Sequence, residues 1–181
     1  MAEVTGIRPI GVAKVAVDVD GSHWRDLPTE VVAAVGIRPG ASLTRQTLRT
    51  LRRSLRDDRA RRLAGSILER RDLSTGELAS RLAARGVTER ERERLIDALR
   101  QRGLVDDARL GRRSAGQLAD RGWGDAAIRH RLEARGLSAA VCVDLVADLQ
   151  PEAGRARDLI DRRRVRGPRA ATLLLRRGFS G

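Results

Sequence analysis

A chain of 181 residues that is 41% hydrophobic, 34% charged and only 2% aromatic can close a lean core built from Ala, Leu and Val, which suits small helical modules better than a large β-sandwich. Its basic residues are 36 Arg and Lys14, and the net charge of +13 favours polyanions or acidic protein surfaces as partners. Cys142 is the single cysteine, which excludes an intramolecular disulfide; no apolar run approaches the ~20 residues of a membrane span, and the N-terminus lacks a signal-peptide layout. A soluble, cytoplasmic monomer without membrane contact is the expectation.

In chain order, residues 4–27 read as extended. Val15, Val17 and Val19 alternate with small or polar residues, and Asp20-Gly21 predicts a hairpin turn. A short helix follows from about Pro28 to Gly36. From Leu43 to about Arg71 the pattern is helical and basic, with Leu48, Leu51 and Leu55 on one face. A break or kink is expected near Asp57-Asp58, with Leu63, Ile67 and Leu68 as the next stripe. Ser74-Thr75-Gly76-Glu77 is a capping box, and Thr88 to Glu91 opens another helix. Asp106 or Asp107 caps the next one, which carries Leu110 and Leu118 and ends near Gly122. Later helices hold Ala127, Ile128 and Leu132; then Val141, Leu145, Val146 and Leu149 behind Ser138; then Ala156, Leu159 and Ile160; then Leu173 and Leu174 after Gly167-Pro168.

One phrase recurs among these helices: Leu, two residues, Arg, Gly, then an apolar residue. It stands at Leu82–Val87, Leu99–Leu104, Leu132–Leu137 and Leu174–Phe179. Glycine enters the left-handed conformation that ends a helix, the next apolar residue folds back, and the arginine meets the negative end of the dipole. Gly86, Gly103, Gly136 and Gly178 are thus helix stops, and their recurrence predicts a mainly α fold of tandem three-helix repeats. The domains follow: 1–43, an extension of β-hairpin and short helix; 44–104, a basic helix and the first repeat; 105–150, the second repeat; 151–181, a third repeat lacking its last helix. With that helix absent, the stripe of Leu159, Ile160, Leu173 and Leu174 is expected to be exposed, Phe179 to have nothing to pack beneath, and the C-terminal pair to be loosely ordered.

Few residues suggest chemistry. Asp106-Asp107 lacks a neighbouring His or third carboxylate, so helix capping is expected rather than metal or acid-base work. His23, His130 and Cys142 are not locally paired as nucleophile and base. Gly122-Trp123-Gly124 with Asp144 downstream loosely matches a dinucleotide fingerprint, but a helix precedes it where a strand is needed. Trp123 is read as a packing residue. No catalytic residue, cofactor or metal site is predicted, and hence no enzyme.

Charge is more telling. Residues 44–71 carry ten basic groups against three acidic, and residues 155–181 nine against two, so each segment holds +7; the stretch between them is neutral. Arg45, Arg49, Arg52, Arg53, Arg56 and Arg59 line one helix side. Arg162, Arg163, Arg164 and Arg166 form a second cluster near Arg169, Arg176 and Arg177. Each cluster is either a solvated face or a surface for phosphate or an acidic protein groove. The scarcity of aromatics argues against a base-stacking platform.

The stretch Gly103-Leu104-Val105-Asp106-Asp107-Ala108-Arg109-Leu110 resembles a segment of the bacterial RecX family of recombinase regulators. Ser74, Glu77-Leu78, Leu82 and Gly86, then Gly124 to Leu137 with Ile128-Arg129, and the closing Leu174–Phe179 are similar to that family's repeats. Val17–Gly21 and Val35–Gly40 resemble an N-terminal extension found in some members. Leu110-Gly111 stands where Phe-Ala is usual, and Trp123 where a polar residue or Gly is commoner. The resemblance implies an elongated, curved helical array that binds the RecA filament, sometimes touching DNA, and mainly inhibits its recombination and repair activities without chemistry of its own. Direct DNA binding without RecA is the alternative. The residues expected to meet filament or DNA are Arg52, Arg53, Arg56, Arg129, Arg162, Arg163, Arg164, Arg166, Arg176 and Arg177, with Asp106, Asp107, Arg109 and the four stop glycines as structural motif.

Overall fold

The computed structural model describes residues 2–180. Its contacts divide the chain into two units, residues 1–65 and 66–181. In the first, three antiparallel strands, β1 (Val4–Pro9), β2 (Lys14–Val19) and β3 (Ser22–Pro28), form a sheet in the order β1-β2-β3. Asp20 and Gly21 join β2 to β3 with φ of 48° and 81°, the paired positive values of a tight two-residue hairpin turn. The predicted hairpin is therefore present, and β1 adds a third strand. It is held by Glu3, whose N–H donates to the Asp20 carboxylate at 2.8 Å, and by Gly21, whose N–H donates to Thr5 Oγ1 at 3.0 Å. Val4, Val15, Val17 and Leu27 bury one face of the sheet under Val31 and Val32 of α1 (Thr29–Val35), with Ile37 and Leu51.

Helix α2 (Arg45–Leu68) runs 24 residues without interruption, which corrects the expected break at Asp57-Asp58. Both aspartates have an arginine four residues away: Arg53 pairs with Asp57 at 3.9 Å, and Arg62 bonds the buried Asp58. Pairs at this spacing support a helix, and Arg53 to Arg62, the turns around the two aspartates, contain no Gly or Pro to end it. The division between units falls inside α2.

The second unit holds α3 (Thr75–Ala83), α4 (Glu89–Gln101), α5 (Asp107–Asp120), α6 (Asp125–Glu133), α7 (Ala139–Ala147), α8 (Glu152–Arg163) and α9 (Pro168–Arg176). The protein is thus mainly helical with a small N-terminal sheet. Each stop phrase closes with the same bond: the N–H of the apolar residue donates to the leucine carbonyl five positions back. The distances are 3.1 Å for Val87, 2.9 Å for Leu104, 3.3 Å for Leu137 and 3.1 Å for Phe179. Val87, Leu137 and Phe179 are buried, whereas Leu104 is 57% exposed. At Leu104 the stop works through the backbone alone, and the expected fold-back burial fails.

Around α5, α6 and α7 the core comprises Ile128, Leu132, Leu137, Cys142, Leu145 and Val146 against Ala115 and Ala119. The buried face of α5 is Gly111, Ala115 and Ala119; Leu118 packs half-buried against the same core, and Leu110 is half-buried. Small residues let the helices approach closely: a Cβ on Gly111 would fall 2.8 Å from a Leu137 methyl. The C-terminal stripe is also corrected. Leu159 is buried, Ile160, Leu173 and Leu174 are half-buried, and Phe179 is buried among the described residues.

Candidate partner-binding surface

Two joints position the arginine-bearing helices of the second unit, and they are built alike. The N-terminus of α3 meets the stop of α6. Ser74, fully buried, accepts from the Glu77 N–H at 3.0 Å and donates its hydroxyl to the Arg135 carbonyl. A Cβ on Gly76 would stand 2.6 Å from the Gly136 oxygen, so only glycine fits. The N-terminus of α6 meets the stop of α9 in turn. The Gly124 N–H donates to the Arg177 carbonyl at 2.9 Å, and the Ala126 N–H to the Gly178 carbonyl at 3.2 Å. Carbonyls at the negative end of one helix thereby satisfy N–H groups at the positive end of another.

A carboxylate from the helix that precedes the stop-bearing one completes each joint. Asp107, first residue of α5, accepts from the Thr75 N–H at 2.8 Å and its hydroxyl at 2.6 Å. Glu152, first residue of α8, accepts from the Asp125 N–H at 2.7 Å and from the Ser180 N–H at 3.2 Å. Burial pushes the Glu152 carboxyl up, but the bonds from Ser180 and Asp125 and the charge of Arg155 outweigh it and hold it below the usual carboxylate range. The adjacent aspartates thus divide the work. Asp106 caps its own helix, accepting from the Arg109 N–H at 2.9 Å, a bond that draws its carboxyl below the ordinary value.

The arginines expected to meet a partner are distributed as follows. Arg52, Arg53 and Arg56 are exposed on α2; Arg53 pairs with Asp57, and Arg56 also has an internal partner. Arg129 is exposed on α6, and Arg162, Arg163, Arg164, Arg166 and Arg176 on α8, α9 and their connection. Arg162 and Arg177 converge on the C-terminus of α5, donating to the carbonyls of Asp120 at 3.4 Å and Arg121 at 3.1 Å. These two already complement a helix dipole. Trp123 packs against the second core with the guanidinium carbons of Arg131 and Arg177 at 3.8 and 4.7 Å from its ring centroid.

Sequence reasoning missed Arg155. It is 5% exposed and donates to the carbonyls of Gln150 at 2.9 Å and Trp123 at 2.7 Å and to the Asp125 carboxylate. A signal existed: Arg155 lies four residues before Leu159, on the predicted inward stripe. Arg135 does more than end a helix: it donates to Ser114 Oγ at 2.7 Å and pairs with Glu77 at 3.6 Å. Among the described residues no three His, Cys, Asp or Glu side chains come together to hold a metal. Burial pushes the Cys142 thiol up, away from the reactive thiolate. No helix of the described residues is long and apolar enough to cross a membrane.

These features define the class: a mainly helical protein of tandem helices joined end to end, presenting exposed arginines. No protein-family model matches the chain. It is 37% identical over 124 residues to the regulatory protein RecX of Xanthomonas axonopodis pv. citri, covering 64% of this chain and 76% of that one. It is 40% identical over 97 residues to that of Chromohalobacter salexigens, of which it spans only 60%. A crystal structure of regulatory protein RecX superposes with a TM-score of 0.82 over 99% of this chain and 95% of that one, and at 17% identity it shows the fold. RecX from Lactobacillus salivarius superposes at 0.60 over 69% of this chain and 89% of its own. The chain belongs to the RecX family.

Proposed function

We propose that this protein binds the filament of the RecA recombinase and mainly inhibits its recombination and repair activities, acting by occupancy without a chemical step. The observation that carries this reading is a set of exposed arginines on interlocked helices in a chain whose relatives are regulatory proteins named RecX. A filament groove lined by acidic groups and phosphates is a long, repeating anionic target. Arginines spread over several helices engage such a target with additive effect.

The test is direct. Substoichiometric protein should slow DNA-stimulated ATP hydrolysis by RecA from the same source, and should co-sediment with the filaments. Absence of both effects overturns the reading. Direct DNA binding is the second reading, favoured by the arginine-lined side of α2. It expects tight binding to DNA without RecA, falling by ~10³-fold or more between 50 and 200 mM salt if six or more phosphates are contacted.

A further inference from the structure

Helix α9 departs from its two counterparts earlier in the chain. Alignment on the stop glycines sets Leu173-Leu174-Leu175 of α9 against Arg131-Leu132-Glu133 of α6 and Arg81-Leu82-Ala83 of α3. The central leucine is the shared core position, and Leu82 and Leu132 are 0% exposed there. The flanking leucines have no such precedent, and Leu175 is 71% exposed. It shares the outward side of α9 with Pro168, Ala171 and Thr172, all exposed. On α6 the same positions are Ala126, Arg129, His130 and Glu133. On α3 they are Gly76, Ala79, Ser80 and Ala83, so α9 shares an uncharged face with α3 and differs from both in setting an exposed leucine on it.

Charge surrounds this uncharged face. Arg169 and Arg176 lie on α9 beside it, and Arg163, Arg164 and Arg166 precede its N-terminus; all five are exposed. None of these five side chains has a hydrogen bond or ion pair among the described residues, in contrast to Arg162 and Arg177. An apolar centre with a free basic rim is the anatomy of a protein contact, and the rim requires acidic groups opposite. A second copy would set one +7 segment against another. Nucleic acid would satisfy the arginines but leave the apolar centre unused. No aromatic ring is free to stack on bases here, since Phe179 is buried and Trp123 is flanked by Arg131 and Arg177.

We propose that the outward face of α9 docks an acidic protein surface with an apolar centre. Resting on the reading given above, that surface belongs to a recombinase protomer and not to the DNA it encloses. The experiment compares wild type, Leu175→Ser and Ala171→Asp for binding to RecA filaments on single-stranded DNA, and to the same DNA without RecA. Both sites are exposed, so thermal midpoints should match wild type, and circular dichroism checks this. Each substitution should weaken filament binding about tenfold, as for loss of an interface anchor, and leave binding to bare DNA within about twofold. Three results overturn the proposal: filament binding as tight as wild type in both variants, equal losses on filament and bare DNA, or self-association of wild type that Leu175→Ser abolishes. Failure of wild type to bind filaments at all is a separate result, and it removes the recombinase reading itself.

Discussion

At the scale of single residues, two kinds of side chain carry more than their type suggests. Glycines at the joints are the first. Gly124 and Gly76 face backbone of another helix, which cannot move aside as a flexible side chain could. Gly124→Ala and Gly76→Ala should each lose about 1–3 kcal/mol through overpacking. Gly116, inside α5 with open space around its would-be Cβ, is the control: Gly116→Ala should gain about 0.5–1 kcal/mol of helix propensity. Urea midpoints shifting in opposite directions would establish the distinction, and equal shifts would refute it. Arg155 is the second kind. Arg155→Met removes the donor from two carbonyls and strands Asp125, so a loss of about 3 kcal/mol is expected in urea unfolding. A change under 1 kcal/mol would show that water takes its place. In a sequence with 36 arginines, one of them being buried leaves almost no mark beyond its place on the Leu159 stripe.

At the scale of elements, helix starts and stops were legible because their chemistry is local. Ser74 with Glu77, Asp106 with Arg109 and the four glycine stops all act within six residues. Burial was less legible. On α5 hydrophobicity singles out Leu110 and Leu118, yet the close approach of α7 puts Gly111, Ala115 and Ala119 at the buried positions, with Leu118 packed half-buried beside them. The carboxylates reaching across from α5 and α8 were not legible, because their partners lie 32 and 27 residues away. Glu152 makes this element-level contact testable by pH. Its carboxyl is held below its unfolded value, so it stabilises the fold above about pH 4.3, and this contribution is lost as pH falls through the folded value. Glu152→Gln should therefore be less stable than wild type at pH 7, and the difference should shrink on acidification below about pH 4. A constant difference across that range would show that the charge is immaterial.

At the scale of the whole molecule, the charge distribution is the functional statement. Two segments hold +7 each around a neutral stretch, and of the second segment's nine arginines Arg155, Arg162 and Arg177 bond carbonyls at other helix ends. In α2, exposed Arg52, Arg53 and Arg56 can be changed to Gln together with little effect on the fold, since exposed ion pairs contribute little. On the recombinase reading, that variant should inhibit RecA ATP hydrolysis several-fold less well at unchanged thermal midpoint. Undiminished inhibition would remove α2 from the contact. In the second unit Arg162 and Arg177, which sequence grouping set beside their neighbours, bond the end of α5, so on the same reading we propose that Arg163, Arg164, Arg166 and Arg176 carry the contact.

The sequence by itself determined the capped helix starts and glycine stops, though not the continuity of α2 through Asp57-Asp58, together with the paired left-handed turn at Asp20-Gly21, the two arginine-rich segments and the family likeness. These depend on conformations and bonds spanning a few residues, or on composition. Only the tertiary structure decided which stop meets which helix start. Ser74 finds the Arg135 carbonyl across 61 residues, and nothing near either residue specifies the other. A glycine stop leaves carbonyls facing outward, and a helix start leaves N–H groups facing outward. Packing alone brings one to the other, and in doing so sets which arginines are consumed within the fold and which remain for a partner.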